Sequence, residues 1–205
     1  VNVFSEQVQS RAEKREATHW KVLASAERLF RDQGFGATTV RQIAADAGVS
    51  VGTVMSVGDK EALLIAIFDG WIEAIHRERR DDAEAPVPMP AGDAVDVIMA
   101  LFEPFLQYFT LDKGLSREYA AIIVRGQRET AIFRKLALSL KAEINRVLEG
   151  AGLTGTDAGR GARAIYFAYL GILMTASNGA IPEDDAIDQL REVVGFVITH
   201  KGAQE

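Results

Sequence analysis

Apolar side chains recur along this chain at three- and four-residue spacing almost throughout, and no segment sustains the period-two alternation of a strand. The pattern predicts an all-α protein of about nine helices. A first helix is expected over 15–33, with Val22, Ala26, Leu29 and Phe30 on one face and Gly34 as its stop. Two short helices follow between 38 and 57. Asp59 then has the position of an N-cap for a longer helix whose face is Leu63, Leu64, Ile67, Phe68, Trp71 and Ile75 and whose end is the charged run 77–82.

Pro86, Pro88 and Pro90 fall within 85–92, a stretch that cannot continue a helix because each ring removes a donor and restricts its predecessor. Beyond it Asp93 caps a helix that is apolar nearly all round, which places that helix among other elements, and Pro104 is expected to kink or break it. Further helices are predicted over 116–126, 130–149, 157–177 and 183–199, with Gly150 and a Gly/Thr loop over 152–155 between them.

Composition narrows the chemistry. The 205 residues are 48% apolar and contain no cysteine, which removes disulfides, thiolate metal sites and cysteine nucleophiles. His19, His76 and His200 are too scattered to predict a metal site, and neither a phosphate loop nor a paired-carboxylate motif appears. No catalytic residue, metal or cofactor is therefore expected. The longest nearly uncharged apolar stretch, 166–176, is short of the ~20 residues of a membrane helix, and the N-terminus does not read as a signal peptide. The expectation is a cytoplasmic protein with no membrane partner. The net charge of −6 argues against nucleic-acid binding, yet residues 1–62 are electrically balanced and the remainder carries the whole excess.

The segment 39–58, TVRQIAADAGVSVGTVMSVG, fits a helix-turn-helix. Val40, Ile43, Ala47, Val49, Val54 and Val57 take the positions that pack between the helices. Ala44 is small where they cross, and Gly48 supplies a left-handed turn. Thr39 with Gln42 matches a capping box, and Ser50 is a natural N-cap for the second helix. That helix, 51–56, would lie in a DNA major groove with Val51, Gly52, Thr53, Met55 and Ser56 outward. Thr53 can bond a base edge or phosphate, and Val51 and Met55 can meet thymine methyls. Arg41 and Lys60 are the expected charge partners, Lys60 for phosphate and Arg41 for phosphate or guanine.

Leu29-Phe30, Gly34-Phe35, Thr38-Thr39-Val40, Ile43-Ala44, Ala47-Gly48-Val49-Ser50, Gly52-Thr53-Val54 and Lys60-Glu61-Ala62-Leu63-Leu64, in that order, resemble the DNA-binding domain of the tetracycline-repressor (TetR) family of transcriptional regulators over residues 18–68. The chain departs from the family at one place. An aromatic residue, most often Tyr, usually stands two residues after the motif's Thr, with a Phe before the Ser/Asp-Lys; here Met55-Ser56-Val57-Gly58 is one residue shorter and lacks the aromatic phosphate contact. The resemblance implies a flexible arm over 1–14, a DNA-binding domain over 15–62, and a helical ligand-binding and dimerisation domain over 63–205. It implies a repressor, released from double-stranded operator DNA by a small apolar or amphipathic effector.

Two features of the later helices suit those roles. Gly161, Ala164, Ala168, Gly171 and Thr175 form a stripe of small side chains, and Ile187, Leu190, Val194 and Val197 repeat on the last helix; together they are the expected seam of a homodimer. Trp71, Met99, Phe102, Phe105, Tyr108, Phe109, Tyr166 and Phe167 are the expected pocket lining around the Pro104 kink, with Arg125 as anchor for a carboxylate. The alternatives are an all-helical enzyme and a protein-interaction module whose helix pair only packs. Salt-dependent binding to duplex DNA separates both from a regulator.

Overall fold

The computed structural model describes residues 3–82, 93–126, 131–177 and 181–200. Among them are nine helices and no strand: α1 (Val3–Gln33), α2 (Val40–Ala47), α3 (Val51–Val57), α4 (Lys60–Asp82), α5 (Ala94–Leu111), α6 (Lys113–Val124), α7 (Ala131–Gly150), α8 (Gly155–Ser177) and α9 (Glu183–Thr199). The proline-rich loop expected over 85–92 lies outside the described residues.

The chain divides into two compact units, Val1–Gly70 and Trp71–Glu205, a division later than the 62/63 boundary read from the sequence. The first turns of α4 fall in the first unit, where Leu63, Leu64, Ile67 and Phe68 are buried. In that unit α1 packs on α2 and α3, and α2 on α3. A helix occupies much of the span expected as a flexible arm, since α1 begins at Val3. Residues 3–14 hold neither Gly nor Pro, and extending an existing helix through Glu, Gln, Lys, Arg and Ala fixes one residue per new hydrogen bond, with no further nucleation.

In the second unit α5 packs against α6, α7, α8 and α9, and α8 against α6, α7 and α9. Ile98, Phe102, Phe105 and Phe109 of α5 are buried, which is why that helix carries so few charges. It runs unbroken through Pro104, contrary to a break there. The interruption is local, since the ring has no N–H for the carbonyl of Ala100, one turn back. Asp112 ends α5 and begins α6, its carboxylate accepting from the Leu115 amide at 3.0 Å. The buried Ser116 hydroxyl donates to Phe109 O at 2.9 Å and closes the same corner.

Candidate functional site

The helix-turn-helix is built from short-range chemistry. Thr39 and Gln42 form the reciprocal box: the Gln42 amide donates to Thr39 Oγ1 at 3.3 Å and the Thr39 amide to Gln42 Oε1 at 2.8 Å. Gly48 sits at φ 64°, ψ 37°, the left-handed conformation in which a Cβ is strained. There its N–H reaches Ala45 O at 3.3 Å and the Val49 N–H reaches Ala44 O at 3.0 Å, so the last carbonyls of α2 are satisfied. Ser50 accepts from the Thr53 amide at 3.0 Å and starts α3. Ile43, Ala44 and Val54 are buried between the helices, as their spacing requires.

This packing leaves Val51, Gly52, Met55 and Ser56 exposed on α3, with Thr53 half-buried. The hydroxyls are engaged locally: Thr53 Oγ1 lies 2.8 Å from Ser50 Oγ, and Ser56 Oγ donates to Thr53 O at 2.7 Å. The face α3 offers is therefore mainly apolar, with hydroxyl lone pairs at its edge. Arg41 is exposed on α2. Gln42 has its carbonyl oxygen occupied by the Thr39 amide, so an outside acceptor has to use its NH2 end.

Lys60 has a different setting from the exposed phosphate contact expected. Its ammonium donates to Phe35 O at 2.8 Å and Thr38 O at 3.2 Å and lies 4.4 Å from the Phe35 ring centroid. It thereby ties the start of α4 to the α1–α2 loop. Three further residues take roles that the sequence reading did not assign them. Buried Thr38 has its hydroxyl 2.8 Å from Gly34 O and 3.1 Å from Leu29 O. Arg28 pairs with Asp46 and joins α1 to α2. A Cβ at Gly58 would stand 2.8 Å from Ala62 Cβ, so the shortened connection after α3 needs glycine for its close approach to α4, on an extended backbone any residue adopts.

The second unit contains a cavity of about 630 Å³, lined by Asp96, Met99, Ala100, Glu103, Leu106, Gln107, Phe109 and Thr110 of α5, Lys113 and Arg117 of α6, Ile172, Leu173 and Ala176 of α8, and Ile181, Pro182, Ala186, Ile187 and Arg191. Of the expected lining only Met99 and Phe109 belong to it. Several of the other aromatics pack on one another or on neighbouring rings. Trp71 packs on Tyr108 with ring centroids 3.9 Å apart, Phe102 stacks on Tyr169 at 4.4 Å, and Phe105 meets His76 at 5.7 Å. Tyr166 is buried, and burial raises its phenol pKa and that of Tyr169, so both are neutral core groups. Phe167 is 63% exposed. Arg125 is exposed at the end of α6, with its Nε donating to Ala121 O at 3.2 Å. Polar groups on the cavity wall include Arg191 paired with Asp96, Gln107 donating to Glu103 at 3.1 Å, Thr110, and Lys113 and Arg117 of α6. Ala100, whose carbonyl loses its helical donor to Pro104, is on the wall.

The small-residue stripe of α8 divides in two. Gly161 faces inward, where a Cβ would stand 2.7 Å from Val197 Cγ1 and 3.0 Å from Leu148 Cδ1, and Leu190 and Val194 are fully buried. Gly161, Leu190, Val194 and Val197 thus serve packing within the chain, which corrects their assignment to the seam. Ala164, Gly171 and Thr175 are exposed and Ala168 half-buried. Beside them on the surfaces of α8 and α9 lie Phe167, Ile187 and Phe196, exposed by 63%, 37% and 61%.

The model of the family described as bacterial regulatory proteins, tetR family, matches residues 22–67. An uncharacterised HTH-type transcriptional regulator of Mycobacterium tuberculosis is 28% identical over 196 residues, covering 96% of this chain and 86% of its own, and a Mycobacterium bovis protein of the same description matches equally. Among solved structures, a TetR transcriptional regulator from Rhodococcus sp. RHA1 superposes with a TM-score of 0.60 at 17% identity, over 92% of this chain and 98% of its own. Thermus thermophilus FadR, a TetR-family repressor in complex with lauroyl-CoA, gives 0.61 at 20% identity, over 91% and 96%. A TetR variant from Acinetobacter baumannii in complex with minocycline gives 0.56 at 20% identity, over 89% and 97%.

Proposed function

We propose that this chain, whose residues 22–67 match the tetR family of bacterial regulatory proteins, is a repressor that holds operator DNA as a homodimer and releases it when a small amphipathic molecule enters the cavity of its second unit. The observation that carries this reading is a helix-turn-helix with its left-handed glycine turn in one unit and a cavity of about 630 Å³ in the other. Two relatives of the same fold were solved with such molecules bound, lauroyl-CoA and minocycline.

In this reading Val51, Gly52 and Met55 read the groove, Thr53 and Ser56 accept at its edge, and Arg41, Gln42 and Thr39 position α2 on phosphates. A two-fold axis beside Ala164, Phe167, Ala168 and Gly171 of α8 and Phe196 of α9 covers the exposed apolar side chains of both helices and doubles the half-sites read. The cavity suits a molecule with an apolar body along Met99, Leu106, Phe109 and Leu173 and a polar end toward Lys113 and Arg117. Trp71 takes part indirectly. A ligand that displaces α5 moves Tyr108 and Phe105, which pack on Trp71 and His76 of α4, and α4 is one helix from Lys60 to Asp82. The working compartment is the cytoplasm, where the DNA is.

The test selects bound duplexes from a random pool, then measures affinity for a selected duplex with and without saturating amphipathic carboxylic acids found by thermal shift. Retention of no duplex at low salt rejects the operator reading. A carboxylic acid that stabilises the protein but leaves duplex affinity unchanged rejects release by that ligand class.

A further inference from the structure

We propose that the N-terminal half of α1 is a second DNA-contacting surface, a basic stripe that follows phosphates beside the groove read by α3. The proposal rests on the operator-binding reading for its partner, but its own observations lie on α1. From residue 11 onward the first buried residue of this helix is Val22, and residues 11–17 are all exposed, so α1 has about two turns there that take no part in the core. Charge is segregated on that extension. At 3.6 residues per turn, Arg11, Lys14, Arg15 and Lys21 fall within about 120° of arc, whereas Glu13 and Glu16 lie on the opposite side.

The azimuth of the stripe matters as much as its sign. Arg11, Arg15 and Thr18 stand on the line that continues through Val22, Ala26 and Leu29, the side of α1 that packs on α2 and α3. One face therefore changes from apolar to cationic as it leaves the core. A polyanion lying against α2 and α3 is the neighbour that cations on that line fit. Among the described residues none of the four cations is in an ion pair, whereas Arg28 and Arg31 further along the helix pair with Asp46 and Glu27. Residues 11–21 rise about 15 Å, over which one DNA strand presents about four phosphates. The stripe and the strand are thus matched in length, charge and number.

The experiment uses the full chain with Arg11, Lys14 and Arg15 each replaced by Gln, a good helix former at exposed positions. Affinity is measured against salt on a duplex selected by the wild-type protein and on a short mixed-sequence duplex. The expected result is a salt slope shallower by about 3 on both duplexes and an affinity lower by at least tenfold at moderate salt. Preference for the selected duplex is retained, because phosphates carry no sequence. The paired control Glu13→Gln with Glu16→Gln leaves the slope as it was. Unchanged slopes in the triple variant overturn the proposal, as does a loss confined to the selected duplex. An equal change in the acidic-face control overturns it too, since net charge rather than the stripe is then responsible. Loss of binding to anionic phospholipid vesicles with no change on DNA overturns it in favour of a membrane partner. If the wild-type chain prefers no duplex, the operator reading fails separately, and the slopes on mixed sequence still decide the stripe.

Discussion

At the scale of single residues, three positions separate stability from recognition. Gly48 holds its left-handed turn in open space, so Gly48→Ala meets no neighbour and is expected to cost only the backbone strain, about 1–2 kcal/mol, with Gly48→Asn milder. Urea denaturation of the two variants measures the difference. Gly52 behaves in the opposite way. A Cβ there would lie 3.7 Å from Ser50 Oγ, an ordinary contact, so Gly52→Ala should stabilise α3 by about 0.5–1 kcal/mol. Duplex binding should nonetheless weaken, because the methyl stands on the exposed side of α3. A variant that melts higher and binds equally well would remove Gly52 from the interface. Lys60→Met should lower stability by about 2 kcal/mol through loss of the bonds to Phe35 O and Thr38 O, with the salt slope of DNA binding unchanged. A slope shallower by about 1 would restore the phosphate role.

Between elements, α8 carries two glycines with different work. Gly161→Ala overpacks the crossing with α9 and is expected to cost about 1–3 kcal/mol, read as a lower melting temperature. Gly171 has nothing within 4 Å of a built Cβ, so Gly171→Arg should leave each folded chain intact and drive dimer to monomer in sedimentation velocity. A stable, unchanged dimer would move the seam elsewhere. Both glycines were visible as one stripe in the sequence, and only packing distinguishes them. The turn was legible for the reverse reason: Thr39, Gln42, Gly48 and Ser50 act on partners within a few residues, where sequence spacing is spatial proximity. The cavity was not. On α5, apolar on nearly every side, periodicity cannot tell which face is filled, and large rings such as Phe102 and Phe105 are found where space is full. The wall is instead Ala100, Leu106, Thr110 and charged side chains. Nor was the start of α1 legible, because a charged segment without apolar periodicity still propagates a helix nucleated downstream.

For the molecule as a whole, the proposed release mechanism links operator and effector. A ligand that weakens duplex affinity by some factor, typically ~5–150-fold, must bind the operator complex more weakly by the same factor, and calorimetry in both orders checks the equality. Filling the cavity with Ala100→Trp should abolish the ligand response while duplex affinity without ligand persists. Retained response would place the effector elsewhere. The route of any such response is constrained by Asp112, which ends α5 and caps α6 with no residue to spare. A connection without slack transmits displacement instead of absorbing it, so the α5 and α6 walls of the cavity are one elbow. Amides on both sides of that elbow should then exchange with deuterium in a single concerted opening, and one residue inserted after Asp112 would uncouple the two walls while leaving each helix free to form.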